Sequence, residues 1–163
     1  MTVNPSKTTM SKTMAERVDR AMLKLTGELF GEKDKNISFE RYDFVARQIL
    51  QIVDVTNIQM AIVVGGGNIF RGRQAATYVD HTEADAMGML ATVMNGIGLR
   101  EALDRNGTPD TRLMTAFDVH DFAEPFIRPK ARHHLDEHRL VIIAGGLGRP
   151  NFSTDSAVAQ YAD

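Results

Sequence analysis

Cysteine is absent from the 163 residues. That excludes disulfides, thiolate metal sites and a cysteine nucleophile, and it fits a reducing compartment. Long apolar runs are missing too: none reaches membrane-spanning length, and the polar N-terminus lacks the apolar segment of a secretory signal. A cytoplasmic protein without a membrane partner is expected. Charge of one sign is also lacking. Nineteen basic residues against 21 acidic ones leave a net charge of -2, which gives no general pull toward nucleic acid. Three common site signatures fail as well. There is no GxxxxGK[ST] loop, GxGxxG breaks at Phe70, and no nucleophile elbow accompanies a Ser-His-Asp set. A P-loop enzyme, a dinucleotide oxidoreductase and a serine hydrolase are therefore disfavoured.

What is present suits an ordinary globular domain. Hydrophobic residues make up 43% and charged residues 25%, enough apolar side chain for a real core. Residues 1–18 are rich in Ser, Thr, Lys and Met without an apolar period and read as a flexible tail. Residues 19–163 read as the domain, with no internal repeat or low-complexity segment.

The most informative stretch is 61–72, AIVVGGGNIFRG. Ala61 to Val64 read as a strand buried on both faces. Gly65, Gly66 and Gly67 then remove side chains where that strand ends, so backbone N–H groups can approach a phosphate. Arg71 adds a planar, permanently charged fork. The plain alternative is a tight turn with a surface arginine.

Around this stretch the pattern alternates. A short strand over 21–25 stops at Thr26-Gly27, with Lys24 near its end. Residues 31–38 read as a loop. Tyr42, Val45, Ile49, Ile52 and Val53 give the spacing of an amphipathic helix from Phe39 to near Asn57, with Ser38 as N-cap. After a polar stretch over 74–83, Asp85 is expected to cap a helix over 86–105, closed by Asn106-Gly107. That helix is apolar nearly all round, which calls for a second packing partner: a subunit interface or a larger surrounding domain. A strand over 112–117, a helix over 125–138, a strand over 139–144 and a final helix opened by Ser153-Thr154-Asp155 complete the order. The alternation predicts an α/β fold, a parallel sheet flanked by helices on both faces.

Ligands of such sheets bind at the carboxyl ends of the strands. Three of those ends carry Lys24-Leu25-Thr26-Gly27, Gly65-Gly66-Gly67-Asn68 and Gly145-Gly146-Leu147-Gly148, with Arg71, Asp85 and Asp155 nearby. Together they suggest one polyanion site. Lys24 suits a phosphoryl group in flight, and Asp155 suits ligand hydroxyls or a water-bridged Mg²⁺. For each the plain alternative remains open: a solvated edge lysine and ordinary helix caps. Arg112 and Arg139 start strands at the opposite edge, as solvated charges or a second anion site. His133, His134 and His138 lack a third ligand at a recognised spacing, so a polar helix face is expected there in place of a metal site.

KLTGE at 24–28, VVGGGNIFRG at 63–72, DAMGMLATVMNG at 85–96, RLMTA at 112–116 and NFSTDSA at 151–157 together resemble the bacterial uridylate kinases of the amino acid kinase family. The resemblance runs in order from about Arg20 to the last residue, and DAMGMLATVMNG is its most specific piece. It implies an α/β/α sandwich and transfer of the ATP γ-phosphate to UMP with Mg²⁺, giving UDP and ADP. Lys24, Arg71 and Asp155 match catalytic positions. Lys24, Leu25, Thr26, Gly27, Gly67 and Arg71 match the ATP side. Gly66, Asp85, Leu147, Gly148, Arg149 and Thr154 match the UMP side. A homohexamer is implied, as are GTP and UTP as effectors, with Arg112 and Arg139 at positions associated with GTP. Thr26 replaces the usual serine, a conservative change. Leu147-Gly148-Arg149 replaces a common Thr-Gly-Asn, which bears on the choice of base. Family members also continue past the position of Asp163, so this chain is expected to be the acceptor-binding N-terminal portion, with the C-terminal part of the fold missing and its own turnover in doubt. Two alternatives stand beside this reading: another amino acid kinase with a carboxylate or carbamate acceptor, and a non-catalytic nucleotide-binding or assembly module.

Overall fold

A computed structural model describes residues 18–72, 77–108 and 110–162. The expected tail over 1–18, apart from Val18, and part of the polar stretch over 74–83 lie outside these residues. Ten elements follow in chain order: β1 (Arg20–Leu25), a 3₁₀ turn (Gly27–Phe30), α1 (Phe39–Thr56), β2 (Gln59–Val64), α2 (His81–Arg105), β3 (Arg112–Thr115), β4 (Glu124–Pro125), α3 (Arg128–Asp136), β5 (Val141–Ala144) and α4 (Thr154–Ala162).

The strands form one sheet in the order β1-β2-β5-β3-β4, and every pairing is parallel. The strand period of two divides its side chains between two cores. Met60, Ile62 and Val64 of β2 meet α1 and α2 through Tyr42, Ile49, Val93 and Leu103. Ala61 and Val63 face the other way, toward Ala131 and Leu135 of α3 and Val158 and Tyr161 of α4. Strand β2 is thus buried on both faces, as its unbroken apolar run requires. The α/β sandwich expected from the alternation is the one observed. Among the described residues no helix is long and apolar enough to cross a membrane.

Several boundaries differ from expectation. Helix α2 starts at His81, because Asp80, not Asp85, is its N-cap and accepts from the Thr82 N–H at 2.9 Å. The predicted helix over 125–138 begins at Arg128; Glu124 and Pro125 form a fifth, edge strand beside Met114 and Thr115. A proline needs no ladder donor at an edge, whereas Pro129 suits the first helical turn, where its missing N–H has no partner to lose. The strand predicted over 112–117 ends at Thr115, whose hydroxyl turns back to the Phe117 carbonyl at 2.8 Å. The strand predicted over 139–144 starts at Val141.

Helix α2 meets its second-partner expectation on one side only. Ala91, Val93, Leu99, Ala102 and Leu103 are buried, while Met87, Leu90 and Met94 are 44, 51 and 49% exposed along one outer stripe.

Candidate phosphoryl-transfer site

The carboxyl ends of β1, β2 and β5 bring the three glycine turns together. Gly65 N–H donates to the Leu25 carbonyl at 2.8 Å, tying the β2 turn to the end of β1. A Cβ at Gly27 would lie 2.5 Å from Gly67 N and 2.6 Å from Asn68 Oδ1, so the two turns touch backbone to backbone. A Cβ at Gly66 would lie 2.8 Å from Ala91 Cβ and 2.9 Å from Thr92 N, which presses this turn onto α2. Only glycine permits such approaches.

The charged residues converge on the same place. Lys24 Nζ stands 3.0 Å from Asp155 Oδ1, joining the end of β1 to the first turn of α4. Asp155 is not the helix cap, since Ser153 Oγ accepts from Ser156 N–H at 3.2 Å. Its carboxylate is left for Lys24. Arg71 folds back over the turn, donating from Nε to the Gly67 carbonyl at 3.0 Å and from Nη2 to Glu28 Oε1 at 2.8 Å. Glu28 had no role in the sequence reading beyond its place in KLTGE. The Thr26 hydroxyl, its own backbone N–H and the charges of Arg71 and Lys24 hold it below the usual carboxylate range against a small burial penalty.

Next to this junction lies a cavity of about 170 Å³, bordered by Gly66, Gly67, Asp85, Arg149, Phe152 and Thr154. Four of the six residues matched to UMP binding therefore share one pocket. Leu147 and Gly148 lie in the turn that follows β5, where Gly148 N–H donates to the Gly145 carbonyl at 2.9 Å. Asp85 sits inside α2 and accepts from the Asn151 N–H at 2.6 Å, so it fastens the loop after β5 to the helix. A wider cavity of about 440 Å³ borders the other side of Gly67 and takes in Arg71, Glu28, Lys33 and Lys35.

Arg112 and Arg139 stand at the opposite edge of the sheet, away from these turns, as expected. Both are part-exposed, and both are paired. Asp110 bridges the two, pairing with Arg112 Nη2 and Arg139 Nε. Glu124 adds a contact to Arg112 at 3.4 Å. Although desolvation pushes the Asp110 carboxyl up, the hydrogen bond from Arg139 and the charges of both arginines hold it low. The polar-face reading of the histidines fails at His134, which is buried: its Nδ1 accepts from Arg139 Nη1 and its Nε2 faces Glu124 Oε2, both at 3.2 Å. An arginine can only donate, so the proton belongs on Nε2.

Two polar residues that the sequence reading passed over sit at the centre. Asn95 and Thr92 of α2, both buried, bond to the turns directly. Their one mark in the sequence is weak: two polar side chains three apart in a helix otherwise apolar on nearly every side.

The model of the amino acid kinase family matches residues 19–163. The chain belongs to the amino acid kinase family. Among solved structures it is similar to UMP kinase from Bacillus anthracis, with 40% identity and a TM-score of 0.82 over 88% of this chain and 59% of that one. It is similar to UMP kinase from Ureaplasma parvum as well, with 31% identity and a TM-score of 0.83 over 90% of this chain and 62% of that one. Carbamate kinase from Giardia lamblia, solved bound to AMP-PNP, matches with 13% identity and a TM-score of 0.59 over 88% of this chain and 66% of that one, a likeness of fold alone. The chain thus spans about three-fifths of the UMP kinases it matches, which fits a family fold whose C-terminal part lies beyond it.

Proposed function

We propose that this chain is the acceptor-binding portion of a uridylate kinase, which moves the γ-phosphate of ATP to UMP and yields UDP and ADP. The observation that carries this reading is the Lys24–Asp155 pair at 3.0 Å, set where the glycine turns meet and beside the pocket of Gly66, Asp85, Arg149 and Thr154. In the reaction a UMP phosphate oxygen attacks the γ-phosphorus, and the bond from that phosphorus to the bridging oxygen of ADP breaks. Lys24 and Arg71 neutralise charge on the moving group, and the glycine N–H groups hold its neighbours in line. Asp155 sets the place of Lys24, Asp85 and Thr154 receive the nucleoside, and Leu147, Gly148 and Arg149 border the base.

The carboxylates of Asp155 and Glu28 supply hard oxygen donors at the junction, a donor set that fits Mg²⁺ together with nucleotide phosphates and water. When bound, the ion neutralises phosphate charge. The same reading takes GTP and UTP as effectors, with GTP at Arg112 and Arg139 once Asp110 yields them. It also takes a cytoplasmic homo-oligomer built through the outer stripe of α2.

The test is ADP release with ATP, Mg²⁺ and each of UMP, CMP and dTMP, on this chain and on a form extended through its reading frame. Preference for UMP by the extended form supports the assignment. Indifference to UMP alongside use of another nucleotide, or of a carboxylate or carbamate, would sink it and point to Leu147 and Arg149 as the signs of a different acceptor.

A further inference from the structure

The pairing of β2 with β5 does not hold the two glycine turns that face the acceptor pocket to each other. The ladder between β2 and β5 ends at Val63 and Ile143, so both turns project beyond it. Helix α2 takes over from the ladder there. Thr92 Oγ1 accepts from the Gly145 N–H at 2.7 Å and donates to the Met89 carbonyl at 2.7 Å. Asn95 Nδ2 donates to the Gly65 carbonyl at 2.6 Å and to Asn68 Oδ1 at 2.7 Å. Its Oδ1 accepts from the Tyr42 hydroxyl at 2.6 Å and from Asn68 Nδ2 at 3.2 Å. Residues three apart on a helix share a face, so one face of α2 grips both turns.

We propose that Thr92 and Asn95 are positioning residues: they fix the separation of the 65–68 and 145–148 turns, and with it the shape of the pocket that receives a nucleoside monophosphate. The proposal rests on the acceptor-site reading above. Its physical content is that both grips are buried and fully used. Asn95 has every amide position engaged, and the Thr92 hydroxyl both gives and takes. Among the described residues the Gly66 and Gly67 N–H groups have no hydrogen-bond partner, which leaves them for a ligand while Gly65 before them is tied at both its N–H and its carbonyl. Removing one grip strands a buried donor, and the turn must shift to satisfy it.

Thr92→Val tests this at nearly constant shape, and Thr92→Ser restores the hydroxyl. UMP binding to this chain is measured by amide NMR titration, together with hydrogen exchange at Gly145. Thr92→Val is expected to bind UMP roughly ten-fold more weakly and to speed Gly145 exchange by at least about ten-fold, the worth of one buried hydrogen bond. Thr92→Ser should recover most of both. Ile49→Val, a core change beneath α1, serves as the control for lost stability. Equal UMP affinity and equal Gly145 exchange in Thr92→Val and the parent overturn the proposal, as does a similar loss of affinity in Ile49→Val. If the parent chain itself does not bind UMP, it is the acceptor reading that fails for this chain. Gly145 exchange then decides the positioning claim alone: faster in Thr92→Val and restored in Thr92→Ser upholds it, and no change overturns it.

Discussion

Lys24 and Asp155 come from opposite ends of the domain and meet at 3.0 Å, with side chains 33 and 74% exposed. An ion pair so open to water adds under about 1 kcal/mol to stability. Its place at the junction of the glycine turns gives it a different weight in catalysis. In the enzyme form that turns over, Lys24→Met should lower kcat by roughly 10²- to 10³-fold, the usual cost of losing an electrostatic group aimed at the transition state, and Asp155→Asn should lower it in the same direction by releasing Lys24 from its place. Their thermal melts should stay close to the parent. A variant that keeps full kcat removes its residue from the mechanism.

Gly27 and Gly72 flank the same turn system but differ in what surrounds them. A methyl group at Gly27 would press on the backbone nitrogen of Gly67, whereas among the described residues the nearest atom to one at Gly72 is the Ala84 Cβ, 3.9 Å away. Gly27→Ala is expected to cost about 1–3 kcal/mol by overpacking. Gly72→Ala should fall within about 0.5 kcal/mol of the parent. Denaturant melts of the two variants check the difference; equal values would mean that the turns are not in contact in solution.

Much of the fold and site is legible in the sequence, and the reasons are local. β2 announces itself because four apolar residues end in three glycines, and Lys24, Arg71 and Asp155 stand out because each is charged beside a strand end. Strand order is not legible, since the insertion of β5 between β2 and β3 is decided by packing across the whole sheet. A two-residue edge strand such as β4 carries no period at all. The cap of α2 is not legible because Asp80 and Asp85 offer the same carboxylate five residues apart, and only the backbone shows which one stands outside the helix. Thr92 and Asn95 are hidden by their setting: in a helix apolar on nearly every side, two polar residues do not disturb the pattern enough to draw notice.

Tyr42 ties the turn-holding amide of Asn95 to α1, and burial pushes its phenol up to about 12. In the unfolded chain the value is about 10. Below about pH 10 the phenol is protonated in both states and its contribution is fully present. From about pH 10 to 12 the unfolded state ionises and the folded state does not, so stability falls, and the contribution is lost as the pH passes the folded value. Burial raises Tyr161 as well, so it adds to the same decline. Urea melts at rising pH should show the fall, and Tyr42→Phe should reduce its slope while costing about 1 kcal/mol near neutrality. A slope unchanged by Tyr42→Phe would place the phenol in solvent.

The outer stripe of α2 gives the last expectation. Met87, Leu90 and Met94 lie three and four residues apart, so they form one continuous apolar face, and all three are about half exposed. Self-association would bury that face. The opposite face of α2 grips the glycine turns, so an interface here would brace the same helix that holds the site. Leu90→Lys places a charge in the middle of the stripe without touching Thr92 or Asn95. Losing about half of a leucine's burial and desolvating an ammonium together should weaken association by at least about ten-fold. Sedimentation equilibrium over a range of concentrations provides the measurement. A parent chain that associates and a Leu90→Lys variant that sediments as a monomer assign the stripe to the interface. A parent that is monomeric throughout, or a variant that associates just as tightly, rejects that assignment.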